Sequence, residues 1–245
     1  MTSERERAER IERLVVDEYF RNPPPFVRAM ASEPTLGVAR AFVIEWTKFS
    51  LQFPRWVGQI VANCPEFPVI AFEIENLMSE VVRDPAADTN HYELLIRLGD
   101  ALGLSRSEIE SHQPSDEAKR AFSYWWDAAR QPDWLLGFAA INGLEILGDR
   151  TLPRRHGLSQ GTGLAVHPWT RLGLPEAALE FFRVSDEADE GHGRETVEIL
   201  ARYAHDDERM SQAMEALRRT IGELRSMMDG MQRVAEAMET RAAAG

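Results

Sequence analysis

The chain has 245 residues, a formal net charge of -12 and a pI near 5.0, with 44% hydrophobic and 28% charged residues. That acidity repels phosphate backbones and anionic lipid, so neither a nucleic acid nor a membrane is expected as a partner. The single cysteine, Cys64, excludes an intramolecular disulfide; with the charged start MTSERERAERIERL and no apolar run of about 20 residues, a cytoplasmic protein is expected.

Residues 3–20 read as a charged amphipathic helix that stops at Pro23-Pro24-Pro25. A long helical pattern follows over about 35–63, with Pro54 inside it. Pro65 and Pro68 open a helix to about Arg83. After a loop at Asp84–Thr89, a helix runs from Asn90 to Leu102 and is closed by Gly103. A short helix at about 105–111 leads to one capped by Ser115 and ending near 130. Pro132 opens the next, which runs to about Arg150. A Gly-rich loop at 157–163 precedes helices at roughly 174–205 and 207–240. No segment sustains period-two alternation, so an all-α chain of about seven to nine helices is expected, with no sheet. It is read as one domain over 1–245. Residues 1–24 hold the N-terminal helix, and 207–240 form a long C-terminal helix packed on the bundle. In that last helix Met210, Met214, Leu217, Ile221, Leu224, Met228 and Met231 recur at spacings of four and three, one buried stripe. Its length and the acidic surface are compatible with a homodimer.

Polar residues on faces that otherwise read as core carry the functional signal. In FFRVSDEADEGH, Ser185, Asp189 and His192 fall on one helical face. Asp189 and His192, one turn apart, can converge on a cation as in helical-bundle iron sites, although on spacing alone the acid-rich context favours a solvated pair. Glu80 and His91 flank a tight loop and can face one space, or His91 can simply serve the first turn behind Asn90. Glu73 shares a face with Glu80 at i, i+7, whereas Glu75 points to solvent. Glu145 and Asp149, at i, i+4, lie on a strongly apolar helix. A carboxylate buried there without a partner costs several kcal/mol, which a bound cation would remove. Asp149 can instead pair with Arg150, Arg154 or Arg155.

Other chemistries find little. GLSQGTG lacks the Lys and helix start of a phosphate loop, and no serine sits in a nucleophile-elbow pattern. Cys64 has no activating base nearby and reads as inert. His112, His156, His167 and His205 read as exposed, and Tyr124, Trp125 and Trp126 as core. Arg55 suits either a substrate carboxylate or a structural ion pair.

The segments LQFPRWVGQIVANCP, ENLMSE, NHYELLIRLGDALGL, the helix carrying Glu145 and Asp149, LPEAALEFFRVSDEADEGH and SMMDGM occur in an order that resembles the haem-oxygenase-like di-iron oxidases and oxygenases. These are relatives of the pyrroloquinoline-quinone synthase and thiaminase II proteins, and the resemblance covers about residues 35–231. It implies a haem-oxygenase-like helical bundle. It also implies ferrous iron, one or two ions, held by Glu80, His91, Glu145 or Asp149, Asp189 and His192. Ser185 stands where the family places histidine, a degenerate ligand position that puts a stable two-iron centre in doubt. The implied activity is an iron-dependent oxidation of a small molecule by dioxygen. Amino acids, other amines and fatty acids are the substrate classes, and specialised metabolism is the setting. Arg55, Phe72, Phe138 and Phe182 are candidates for the substrate pocket, with Phe181 beside them; no catalytic residue beyond the ligands is assigned. Two rivals fit the same residues: a metal-poor binding or partner member in which Ser185 marks a decayed site, and a metal-independent enzyme of the thiaminase II or pyrroloquinoline-quinone synthase type.

Overall fold

The structure is a computed structural model that describes residues 2–159 and 166–244, apart from the side chains of 185–190 and 244. Every described element is helical. In chain order the α-helices are α1 (Glu4–Val15), α2 (Pro25–Ser32), α3 (Leu36–Asn63), α4 (Phe67–Leu77), α5 (His91–Ala101), α6 (Arg106–Ser111), α7 (Asp116–Ala129), α8 (Trp134–Gly148), α9 (Thr151–Arg155), α10 (Val166–Trp169), α11 (Glu180–Tyr203) and α12 (Asp207–Ala244). That exceeds the seven to nine expected. The extra ones are mostly short: α2, α9 and α10 have too few turns for a hydrophobic period to show. Much of the Gly-rich stretch at 157–163 lies outside the described residues.

Local chemistry sets the boundaries. Ser3 and Ser105 form capping boxes with Glu6 and Glu108, and Thr35, Asn90 and Ser115 accept from backbone amides in the first turns of α3, α5 and α7. Gly103 takes a positive φ of 76° past the end of α5, the left-handed stop that favours glycine. Pro54 is carried inside α3.

α8 is the centre. Its residues are apolar almost all round and nearly all buried, as expected of a helix with no solvent face. It packs against α3, α7, α11 and α12. The methionine stripe of α12 is buried apart from the half-buried Met214, with Met210 and Met231 fully enclosed. Gly193 lets α11 approach the end of α8: a Cβ there would meet the Asp149 Cβ at 2.8 Å and the Glu145 carbonyl oxygen at 3.0 Å. Two π-helical turns interrupt the pattern, Val16–Phe20 after α1 and Met78–Val82 after α4. Each delivers one residue to the cavity described next, Tyr19 and Glu80. A π turn widens the winding, so a residue beyond it leaves the face that a 3.6-residue period assigns. Among the described residues no helix is long and apolar enough to cross a membrane.

Candidate active site

A cavity of about 100 Å³ opens between α2, α3, α8, the middle of α12 and the first turns of α5 and α11. Its apolar wall is aromatic and methionine-rich: Tyr19, Met30, Phe42, Trp46, Phe49, Phe53, Phe181 and Met228. These rings support one another. Trp46 stacks on Phe49 at 4.5 Å between centroids, Phe49 on Phe53 at 5.5 Å, and Phe42 contacts Phe181 at 5.9 Å. Glu80, His91 and Glu145, three polar groups from three separate elements, reach the same space.

Glu80 and His91 form a tight pair. His91 Nδ1 lies 2.7 Å from Glu80 Oε1, and Nε2 lies 3.0 Å from Asp84 Oδ2. Asp84 is buried and fixed by its own turn, accepting from the Ala86 amide at 2.7 Å. Burial alone would depress the His91 imidazole; the carboxylates of Glu80 and Asp84 outweigh it and hold the ring well above the usual imidazole range. Burial likewise works against the charge on Asp84, yet its hydrogen bonds from His91 and Ala86 hold it below the usual carboxylate range.

Glu145 and His192 form the second pair, with Glu145 Oε2 at 3.7 Å from His192 Nδ1. The other oxygen, Oε1, accepts from Asn76 Nδ2 at 3.1 Å. Burial disfavours the Glu145 anion, but His192, Asn76 and the more distant His91 overcome this and keep it below the usual range. His192 also packs edge-on to Phe72, centroids 5.9 Å apart. Beside this pair lies Glu73, wholly buried, whose Oε1 accepts from Asn142 Nδ2 at 2.7 Å. Desolvation pushes Glu73 up to about 8 despite that bond, and the neighbouring Glu145 charge adds to the effect.

Several sequence expectations land elsewhere. Asp149 is not free for the cavity: its Oδ1 accepts from the Thr151 amide and hydroxyl at 2.7 Å each and from the Leu152 amide at 3.1 Å, and its Oδ2 pairs with Arg155 at 3.2 Å. It starts α9, and of the two carboxylates on this helix only Glu145 faces the cavity. Arg55 is exposed and off the cavity wall, because the face of α3 that carries Phe49 and Phe53 turns it outward. Phe72, Phe138 and Phe182 are buried in ring clusters behind the wall, while Phe181 lines it. Asp189 and Ser185 lie among the side chains outside the description. Glu73 and Glu80, placed on one face by their i, i+7 spacing, bond to different partners, Asn142 and His91, with the π turn at Met78–Val82 between them. Cys64 is buried and away from the cavity, its thiol raised by desolvation. His112 is only partly exposed and pairs with the buried Glu45 at 2.9 Å. Asp84, Asn76, Asn142 and Tyr19 were missed. Asn142 alone carried a signal, an amide three residues before Glu145 in an otherwise apolar helix.

No three His, Cys, Asp or Glu side chains converge as a ready ligand cluster among the described residues. What the structure presents is two carboxylate–imidazole pairs, Glu80–His91 and Glu145–His192.

This bundle is the haem-oxygenase-like fold. It superposes with a TM-score of 0.70 on a domain of Shewanella denitrificans described as heme oxygenase-like, at 11% identity over 96% of this chain and 93% of that one. A TenA homologue from Pseudomonas syringae gives 0.68 at 12% identity, over 93% and 90%. Within that fold the chain belongs to the family described as iron-containing redox enzyme, whose family model matches residues 40–222. Among curated proteins it is similar to a protein of Chlamydia muridarum named 4-aminobenzoate synthase, 22% identical over 222 residues, which span 90% of this chain and 88% of the relative.

Proposed function

We propose that the chain is an iron-dependent oxidase or oxygenase that uses dioxygen to oxidise a small aromatic or amine substrate. The observation that carries this reading is that Glu80, His91 and Glu145, from three elements, line one aromatic-walled cavity. The donors fit the metal: carboxylates and imidazoles together suit ferrous iron better than they suit a soft or an all-oxygen cation. Glu80, His91, Glu145 and His192 would hold it, with Asp189 one turn before His192. Ferrous iron, when bound, supplies the electrons that activate dioxygen.

The chain's own residues supply the rest. Asp84 grips His91 Nε2 and so fixes the ring with its Nδ1 edge toward Glu80, the arrangement in which an acidic partner orients a ligating imidazole. Asn76 holds Glu145 by one oxygen and leaves the other directed at His192. The rings of Trp46, Phe49, Phe53 and Phe181 exclude water and offer faces to a flat or cationic guest. The volume suits a molecule of about one ring, given that an apolar cavity of about 150 Å³ takes benzene. No Arg or Lys lines the cavity among the described residues, so a fatty-acid carboxylate would meet Glu80 and Glu145 without a counter-charge. An amine would meet them favourably, and the name of the chlamydial relative points toward aromatic amino compounds.

The test is anaerobic loading with ferrous iron, elemental analysis, and optical spectra on admission of oxygen, followed by a screen of aromatic amines and amino acids. At least one iron per chain, an oxygen-dependent absorption change and turnover of a ring-sized amine are expected. A well-folded protein that retains no iron would overturn the proposal.

A further inference from the structure

Glu73 and Asn76 are three residues apart on α4, and Asn142 and Glu145 are three apart on α8. Their side chains cross reciprocally. Asn142 Nδ2 donates to Glu73 Oε1 at 2.7 Å, and Asn76 Nδ2 donates to Glu145 Oε1 at 3.1 Å. Each carboxylate is thus tied by one oxygen to an amide of the opposite helix, and its second oxygen is left available. For Glu145 that second oxygen faces His192. For Glu73 it has no hydrogen-bond partner among the described residues, although the residue is 0% exposed. Asn142 Oδ1, equally buried, has none either. Asn142 Oδ1 is an acceptor, and so is Glu73 Oε2 once the carboxyl is ionised, so what the ionised pair lacks is a donor or a cation. Native interiors rarely keep such a half-satisfied carboxylate without a use for it.

We propose that Glu73 is a further ligand of the cation held by Glu145 and His192, binding through its free Oε2. The inference rests on the proposed metal-dependent function and deepens it. Glu73 stands to Asn142 as Glu145 stands to Asn76, and it supplies a donor that serine at position 185 cannot.

The experiment is an anaerobic titration of the full chain with cobalt(II) alone, read by its visible absorption bands. Wild type is compared with Glu73→Gln and with Glu75→Gln. Glu75 is an exposed glutamate on the same helix, and its replacement makes the same change in formal charge. Expected are an affinity roughly tenfold or more lower for Glu73→Gln, a displaced or weakened visible band, and wild-type behaviour for Glu75→Gln. Circular dichroism and a thermal melt of the ion-free variant establish that it folds. A weaker affinity with an unchanged band would mean that Glu73 acts through charge alone, and would overturn the ligand assignment. Unchanged affinity would overturn it too and leave a buried water between Glu73 and Asn142. Wild type that binds no cobalt or iron would remove the proposed function itself, an outcome distinct from either.

Discussion

Replacing Glu73 by Gln in the ion-free protein should change stability in a pH-dependent way whose size follows from its burial. The folded chain holds the Glu73 carboxyl up to about 8, against an ordinary value of 4.5, because burial penalises the anion. A group that binds its proton more tightly when folded contributes most at low pH. Its contribution is lost as pH rises from the unfolded value through the folded one. At about 1.36 kcal/mol per pKa unit, the penalty of carrying this anion grows by about 4 kcal/mol between about pH 5 and pH 9. Gln cannot ionise and can still accept from Asn142 through its carbonyl. The variant should therefore lie within about 1 kcal/mol of wild type at the acid end and be more stable by about 2–4 kcal/mol at the alkaline end, the range allowing for imperfect pairing of the new amide. The assay is urea unfolding followed by circular dichroism, with a chelator present, at several pH values. The difference between the two proteins cancels the other titrating groups. A difference that stays flat from pH 5 to 9 would refute the reasoning, because Glu73 would then be charged at little cost throughout.

The two carboxylates of the α8 end should separate cleanly. Glu145→Gln should lower iron content strongly with little loss of stability, whereas Asp149→Ala should cost about 2–3 kcal/mol, through the start of α9 and the Arg155 pair, and leave a measurable iron site; elemental analysis and urea melts on both variants decide it. Gly193→Ala should destabilise by about 1–3 kcal/mol, since its methyl would press on Asp149 and on the Glu145 carbonyl, and should weaken iron binding by moving His192. Equal melting temperature and iron affinity would show that α11 shifts freely. Asp84→Asn removes the charge that orients His91 and should lower iron affinity about 10–100-fold while the aromatic cavity still binds a neutral ring compound. Calorimetry with both ligands checks this pair of outcomes.

How much of this was legible in the sequence depends on which force set each feature. Helices fixed by caps and prolines, and the buried stripe of α12, follow from local rules, and their bounds agree with the structure to within a few residues. Short helices such as α2 and α9 owe their conformation to packing and to one side chain, Asp149, so periodicity could not reveal them. The carboxylates and histidines at Glu80, His91, Glu145 and His192 stood out because polar residues on apolar faces need a partner. Which side each faces was another matter. The π turn at Met78–Val82 shifts the phase of the helix, so Glu73 and Glu80, on one face at i, i+7, end up in different clusters. Periodicity assumes a uniform winding and fails where one residue is inserted.

The pocket aromatics show the other limit. Phe49 and Phe53 line the cavity, while Phe72, Phe138 and Phe182 pack behind it, though all five sit on apolar helical faces. Side-chain type cannot distinguish a wall from a filler; that depends on where neighbouring helices stop short of contact. The amides carry more. An asparagine inside a helix as apolar as α8 is costly unless bonded, and so is one facing it from α4. Each here donates to a glutamate of the other helix. Removing Asn142 would leave Glu73 without its hydrogen bond and removing Asn76 would leave Glu145 to His192 alone, so exchanging either amide for an apolar residue costs a buried carboxyl its bond. The four residues are one unit, and through Glu145 it reaches the cavity.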